Sequence, residues 1–386
     1  MTMQSHRKPI KVVTILGTRP EIIRLSCVMA LLDKHVDHRI VHTGQNYDYE
    51  LNEVFFKDLN IRKPDYFMNV DTSSLGRVYA GVLIGAEEIL TKERPDAVLI
   101  LGDTNSSIAG IMAKRLKIPI YHMEAGNRCF DFNVPEEINR RIIDHISDFN
   151  LVYTEHARRH LLSEGLPHRR IYVTGSPMKE VLMTHIESIK ASNALQKLNL
   201  KKGEYFLASI HREENVDNSR NLSILITALE TVSEQYKLPV IVSTHPRTRR
   251  RLQSLSDKDI SQRIQFLKPF GFIDYVHLEM NACCVISDSG TISEESAILS
   301  FPALTVRNAM ERPEALDAGT IVMTGLEPEV IVSAIKMQIS QENRAKKVRI
   351  PYEYEIDNVS FRVVKLIIGT SKLSHLWDNI RQNDLT

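Results

Sequence analysis

One tryptophan and four cysteines are all that 386 residues carry of those two types. Cys27, Cys129, Cys283 and Cys284 form neither a C-x-x-C pair nor a metal-spaced cluster, which excludes a disulfide framework and a thiolate metal site. The adjacent Cys283 and Cys284 sit in an apolar run that reads as buried strand, and free thiols fit the cytosol. Nowhere do about 18 apolar residues run together. The first residues, MTMQSHRKPIKVV, lack the apolar stretch of about 7 to 15 residues that a secretory signal needs. A soluble, cytoplasmic protein with no membrane partner is expected. Charge of one sign is missing as well: 49 Lys and Arg face 48 Asp and Glu. No global field therefore recruits nucleic acid, and any anion must be held locally. Four signatures are absent: G-x-G-x-x-G, G-x-x-x-x-G-K-[ST], H-E-x-x-H and G-x-S-x-G. Their absence argues against a dinucleotide fingerprint, a P-loop, a zincin and a serine-hydrolase elbow. No metal site is expected.

What is present is alternation. Short apolar runs, KVVTILG (11–17), HRIVHTG (38–44), DAVLILG (96–102), IPIYHME (118–124), LVYT (151–154) and IYVTG (171–175), are separated by longer helix-periodic segments. A second series follows, with YFLASIH (205–211), LPVIVSTH (238–245), RIQFLKP (263–269), CCVISDSG (283–290), PALTV (302–306) and GTIVMTG (319–325). Nearly continuous apolar strands at this spacing indicate parallel sheets covered on both faces. The length suits two domains of roughly 150 to 200 residues. The polar segment 177–203 is the expected boundary. An α/β chain of two doubly wound, Rossmann-like domains follows, and in this class ligands sit outside the carboxyl ends of the strands. Two such domains facing one another would make a cleft.

Polar residues do cluster just after the strands. In LGTRPEIIRL, Thr18 and Glu21 have capping-box spacing and Pro20 suits a first helical turn, so a helix begins directly after a strand. Arg19 there offers an anion both a fixed charge and a helix dipole. SDSGTISEES repeats the pattern: Thr291 and Glu294 have capping-box spacing, and Ser289 and Gly290 stand where free backbone N–H groups would cradle a phosphate. Glu295 lies about a turn inside that helix. Asp103 follows the strand DAVLILG, and His211 ends YFLASIH, one from each half. In YHMEAGNRCFDFNVPEEINRR, Glu124 ends a strand, while Glu136 and Glu137 open a helix behind Pro135. Capping accounts for the latter pair and leaves Glu124 unexplained. Crowded carboxylates become proton donors and acceptors near neutral pH, and nearby arginines moderate that shift or bind an anion. These residues describe an enzyme that moves protons on a phosphorylated substrate.

GTRPEIIRL, GDTNSS, HMEAGNR, PEEINRR, HREEN, SDSGTISEE and ERPEA, in this order over residues 16–315, resemble the non-hydrolysing UDP-N-acetylglucosamine 2-epimerase family. HTGQNYDYELN, HMEAGNRCFD and LKPFGFIDY most resemble its branch that forms UDP-N-acetyl-L-fucosamine from UDP-2-acetamido-2,6-dideoxy-L-talose for surface polysaccharides such as capsule or O-antigen. The resemblance implies a GT-B-type fold: residues 1–176 plus a returning helix within 360–386, and a UDP-binding domain over 177–359. It implies loss of UDP from C1 with removal of the C2 proton, then re-addition with protonation on the other face, without a redox cofactor. Position by position, Asp103, Glu124, Glu136 and His211 match the family's acid/base set. Arg19, His245, Ser289, Gly290, Glu295 and Arg312 match positions that hold UDP, Arg24 and Arg140 count among the UDP- or substrate-binding residues, and Arg140 and Glu311 rank lower, as supports. The chain departs from the family at Arg24, usually lysine, at Asn127, usually leucine, and at FNVPEE, which lacks the usual tryptophan. Asp48 stands where an activator-binding glutamine would follow Gln45. The substrate therefore stays open between the 6-deoxy-L-talo sugar and UDP-N-acetylglucosamine or UDP-N-acetylmannosamine. A GT-B glycosyltransferase, a non-catalytic UDP-sugar-binding module and a hydrolysing variant are the other readings. The apolar helices of the first half suggest a homodimer.

Overall fold

The computed structural model describes residues 9–44, 55–253, 261–340 and 349–378. Gln45 and Asp48 lie outside these residues. The chain divides into two compact units, Met1–Val181 with Ile356–Thr386, and Leu182–Glu355. The division falls inside the helix Met178–Lys190.

In the first unit the strands are β1 (Lys11–Leu16), β2 (Asp37–His42), β3 (Tyr66–Phe67), β4 (Ala97–Leu101), β5 (Ile120–Ala125), β6 (Phe149–Val152) and β7 (Ile171–Val173). They form one sheet in the order β3-β2-β1-β4-β5-β6-β7, parallel throughout. β3 escapes sequence reading because two residues, aligned with Val41 and His42, carry no periodicity. The second unit has β8 (Phe206–Ser209), β9 (Val240–Ser243), β10 (Ile264–Leu267), β11 (Cys284–Ser287), β12 (Ala303–Thr305) and β13 (Val322–Met323). Their order is β10-β9-β8-β11-β12-β13, again parallel.

Burial on both faces explains why these strands read as unbroken apolar runs: every residue of β4 is buried. The helix Leu75–Glu93 covers one face with Val78, Val82, Ala86 and Leu90, a stripe of every fourth residue packed with Val13, Ile15, Val98 and Ile100. Each fully buried aliphatic side chain there contributes roughly 1.5–3 kcal/mol. In the second unit the helix Ser219–Tyr236 does the same work with Leu222, Leu225, Leu229 and Val232. In both sheets the chain leaves its first strand in one direction and returns to the other side of it. The crossings, β1 beside β4 and β8 beside β11, are the switch points at which ligands bind in sheets of this kind.

The C-terminal segment belongs to the first unit. Tyr121 Oη lies 2.6 Å from Thr370 Oγ1, and Ser360 N donates to Glu180 at 2.8 Å. The returning helix expected within 360–386 is, among the described residues, two helices, Val359–Thr370 and Ser374–Trp377. Gly369, Thr370 and Ser371, all poor helix formers, mark the break.

Candidate active site

The first unit gathers its polar residues at the switch between β1 and β4. Helix Arg19–His35 starts with the capping box expected of Thr18 and Glu21, with Pro20 in its first turn. Glu21 is only 1% exposed, and its carboxylate accepts from Gly17 N (3.0 Å), Thr18 N (2.7 Å) and Thr18 Oγ1 (2.7 Å). Burial pushes this carboxyl up to about 7, against the opposing hydrogen bonds. Arg19 lies over the Phe55 ring, 5.4 Å from its centre. One turn on, the buried Arg24 pairs through Nη1 with Glu124.

Glu124 has an unusual backbone. Its φ is +65°, in the left-handed region, and the pairing of β5 with β6 shifts register between Met123 and Ala125. A non-glycine residue in this conformation costs of order 1–3 kcal/mol and persists only when its surroundings fix it. Here they do. Asp144, fully buried, accepts from Gly126 N at 3.2 Å through both oxygens, pairs with Arg128 at 2.7 Å and lies 3.0 Å from His122 Nδ1. Burial pushes the Asp144 carboxyl up, but His122 and Arg128 outweigh it and hold it below its usual range. Gly126 has φ +80°, and a Cβ there would stand 2.5 Å from Ala157 O, so no other residue fits. Arg24 takes one oxygen of Glu124, and Asn127 Nδ2 reaches the other at 3.4 Å.

Asp103, just past β4, is held by Arg140, whose Nε and Nη2 lie 2.9 and 2.7 Å from Oδ2. Arg140 also donates to Glu137 at 3.1 Å. Helix Pro135–Ile146 begins as expected, with Pro135 and the two glutamates in its first turn. Glu136 is half-buried. Glu137 does more than open the helix: it is fully buried and accepts from Cys129 N, Arg140 and Arg141. Arg24 and Arg140, expected among substrate-binding residues, thus sit on carboxylates. The crowding of acids is relieved because an arginine stands beside Glu124, Asp103 and Glu137. Phe132 is exposed under the guanidinium of Arg141, and Asn133 closes on Asp131.

In the second unit the organiser is Asp288, a role that its place in the SDSG turn does not disclose. Fully buried after β11, it accepts from His211 N (3.0 and 3.1 Å), Arg212 N (3.0 Å) and Asn215 Nδ2 (3.0 Å), all beyond β8. The His211 ring is exposed, with Nδ1 3.2 Å from Asp288 and its centre 6.4 Å from that of His245. His245 in turn accepts from Arg247 N.

The second expected capping box does not form. Thr291 makes no side-chain cap, its hydroxyl lying 3.0 Å from Ser289 Oγ, and the Glu294 carboxylate is taken by Arg312 at 2.5 Å rather than reaching back. Ser289 Oγ accepts from Thr291 N instead, and Ser289 N donates to Ser287 Oγ, so that amide is already satisfied and is not a free phosphate donor. Arg312 also donates to Gly290 O at 2.8 Å, which fixes the turn. Glu311 accepts both arms of Arg307, at 2.6 and 2.7 Å, and Arg212 at 3.3 Å. Glu295 is buried in the first turn of helix Ile292–Leu299. Burial, with the nearby charge of Glu295, raises Glu279 well above its usual range. Among the described residues, no three His, Cys, Asp or Glu side chains are grouped to hold a metal ion. No described helix is long and apolar enough to cross a membrane.

A family model described as UDP-N-acetylglucosamine 2-epimerase matches residues 30–368. The chain belongs to that family. Its two parallel-sheet α/β units have the GT-B-like fold of the family's solved structures, and the chemistry that goes with membership is C2 epimerisation of a UDP-sugar, an isomerase reaction. The chain is similar to the structure of a UDP-N-acetylglucosamine 2-epimerase from Rickettsia bellii, with 47% identity, a TM-score of 0.89, and coverage of 96% of this chain and 100% of that one. A Methanocaldococcus jannaschii UDP-GlcNAc 2-epimerase, solved in complex with UDP-GlcNAc and UDP, gives a TM-score of 0.86 at 34% identity over 93% of this chain and 99% of that one. A UDP-2,3-diacetamido-2,3-dideoxy-D-glucuronate 2-epimerase of Pseudomonas aeruginosa is 32% identical over 86% of this chain and 93% of its own length. Family members with different sugars therefore lie within reach of this sequence.

Proposed function

We propose that the substrate is UDP-2-acetamido-2,6-dideoxy-L-talose, converted to UDP-N-acetyl-L-fucosamine for surface polysaccharide. A carboxylate removes the C2 proton, the C1–O bond breaks with its electron pair leaving on UDP, and a C1=C2 glycal-like intermediate forms. Re-addition of UDP to C1 and protonation of C2 on the opposite face complete the epimerisation. Asp103, Glu124 and Glu136, with His211, carry the proton transfers. Arg19, His245, Gly290, Glu295 and Arg312, with the side chain rather than the amide of Ser289, serve UDP, and Arg24 and Arg140 set the carboxylates.

The observation that carries this reading is Glu124 itself: a strained, buried residue whose two oxygens meet Arg24 and Asn127. Arg24 and Asn127 are positions where the chain departs from the family's usual lysine and leucine, and both touch the same carboxylate. That coincidence supports a sugar other than the common one. The names of the relatives support a second reading, UDP-N-acetylglucosamine to UDP-N-acetylmannosamine.

Offering the two sugar nucleotides separately in deuterated water, and following C2 by proton NMR, tests both. Inversion with deuterium uptake is expected for the 6-deoxy-L-talo compound, and no acceptor is required. Turned-over product that keeps its C2 hydrogen would sink the mechanism, and turnover of UDP-N-acetylglucosamine alone would select the second reading. The proposal includes a cytoplasmic homodimer, supported by the exposed apolar Leu75, Ile84, Ile138 and Ile142 on two helices of the first unit. Sedimentation at micromolar concentration checks that part.

A further inference from the structure

Glu21 is a buried acid that the reaction as written does not use. It sits where three loops meet. Gly17, after β1, is so close to the loops after β2 and β4 that a Cβ there would collide with Thr43 Oγ1 and Ser106 Oγ. Those two hydroxyls are themselves 3.2 Å apart. Glu21 gathers Gly17 and Thr18 on Oε2, while Oε1 accepts from Thr104 Oγ1 at 3.1 Å. Thr104 is the neighbour of Asp103, and Thr18 the neighbour of Arg19. One carboxylate therefore spans the switch between β1 and β4, joining a residue next to each candidate.

We propose that Glu21 is a positioning residue for the epimerisation: it fixes the loop that carries Arg19 against the loop that carries Asp103. A capping residue would need only the contacts within its own turn. The bond to Thr104 goes beyond capping, 83 residues along the chain. Oε2 faces three donors, so a proton on this acid belongs on Oε1, where it reverses the bond to Thr104 and keeps the span closed. The inference rests on the reading of Asp103 as a proton-transfer residue.

Three variants of the full chain test it. Each is assayed for melting temperature, C2 deuterium uptake, kcat and KM, using whichever of the two sugar nucleotides the wild-type protein turns over. Thr104→Val removes the bond across the switch, and with it the 3.3 Å bond from Ser106 N to Thr104 Oγ1, and leaves the other three bonds of Glu21 in place. Its kcat is expected to fall about tenfold or more, with KM changed less than about threefold, as misplacement of a reacting group implies. Glu21→Ala loses at least as much. Glu21→Gln stays within about threefold of wild type, because its oxygen accepts from Gly17 and Thr18 while its NH2 donates to Thr104 Oγ1. Should Glu21→Ala not fold, the other two variants decide. Unchanged kcat and KM in Thr104→Val, or a Glu21→Gln variant as slow as Thr104→Val, overturns the proposal alone. An Asp103→Asn protein that exchanges C2 hydrogen at the wild-type rate overturns the underlying reading, and the proposal with it.

Discussion

The two units close the same crossing with a buried carboxylate and do so from opposite sides. In the first, Glu21 comes from the helix after β1 and reaches a hydroxyl beyond β4. In the second, Asp288 stands after β11 and reaches back to the amides beyond β8. Glu21 makes three of its four bonds within its own loop and one across. The Asp288 carboxylate bonds across, to His211, Arg212 and Asn215. A crossing held by one hydroxyl can be altered by one methyl-for-hydroxyl exchange, whereas a crossing held by backbone amides sets the conformation of a whole loop. The first unit surrounds its crossing with paired acids and arginines, and the second with turns fixed by arginines, the division on which the proposed roles of proton transfer and UDP binding rest.

Breaking the chemistry of the first unit should give the largest effect. Glu124→Gln is expected to lower C2 exchange by about 10²–10⁴-fold, the range for a general acid or base, with UDP affinity by calorimetry nearly unchanged. A comparable loss of UDP affinity would collapse the division between the units.

Charge at the Glu21 crossing comes next. Its folded pKa, about 7 against an ordinary 4.5, lies above the unfolded value. As pH rises from 4.5 to 7 the unfolded chain ionises while the folded one stays protonated, so stability falls, and the loss is complete above about 7. Glu21→Gln should therefore be more stable than wild type by about 3 kcal/mol at pH 8, with the difference vanishing below about pH 4.5. Urea denaturation at the two pH values measures it. An equal difference at both would mean that burial of charge is not its cause.

At the other crossing, Asp288→Asn replaces a charged acceptor of backbone amides by a group that also carries donors. A loss of about 1–3 kcal/mol in urea denaturation is expected, with the protection of the His211 and Arg212 amides from hydrogen exchange reduced. The smallest effect belongs to Asn127→Leu, which removes a 3.4 Å contact to Glu124. A change of about threefold in kcat, less than about 1 kcal/mol, should appear as a shift in preference between the two sugar nucleotides. No shift would remove Asn127 from the choice of sugar.

Much of this was legible in the residues. Thr18, Pro20 and Glu21 mark a helix start through local bonding, and the strands show in their apolar runs because both faces of each sheet are covered. Identical spacing at Thr291 and Glu294 misleads, because Arg312, 18 residues further on, captures the glutamate. Glu137 reads as a helix-start residue, yet it is a buried acceptor of Cys129 N and two arginines. Nothing in HMEAGN discloses the left-handed backbone of Glu124. That conformation depends on Asp144, 20 residues away, and on a Gly126 that fits closely against Ala157.

The sequence by itself determined the two doubly wound halves, the family, and which residue types stand at the strand ends, since periodicity and turn chemistry are local. Tertiary structure alone decided which arginine meets which acid, that Glu21 and Asp288 each span a crossing, and that Glu124 is held in strain. Those outcomes depend on contacts between residues distant in the chain and on how completely water is excluded from them, and neither leaves a mark on a local pattern.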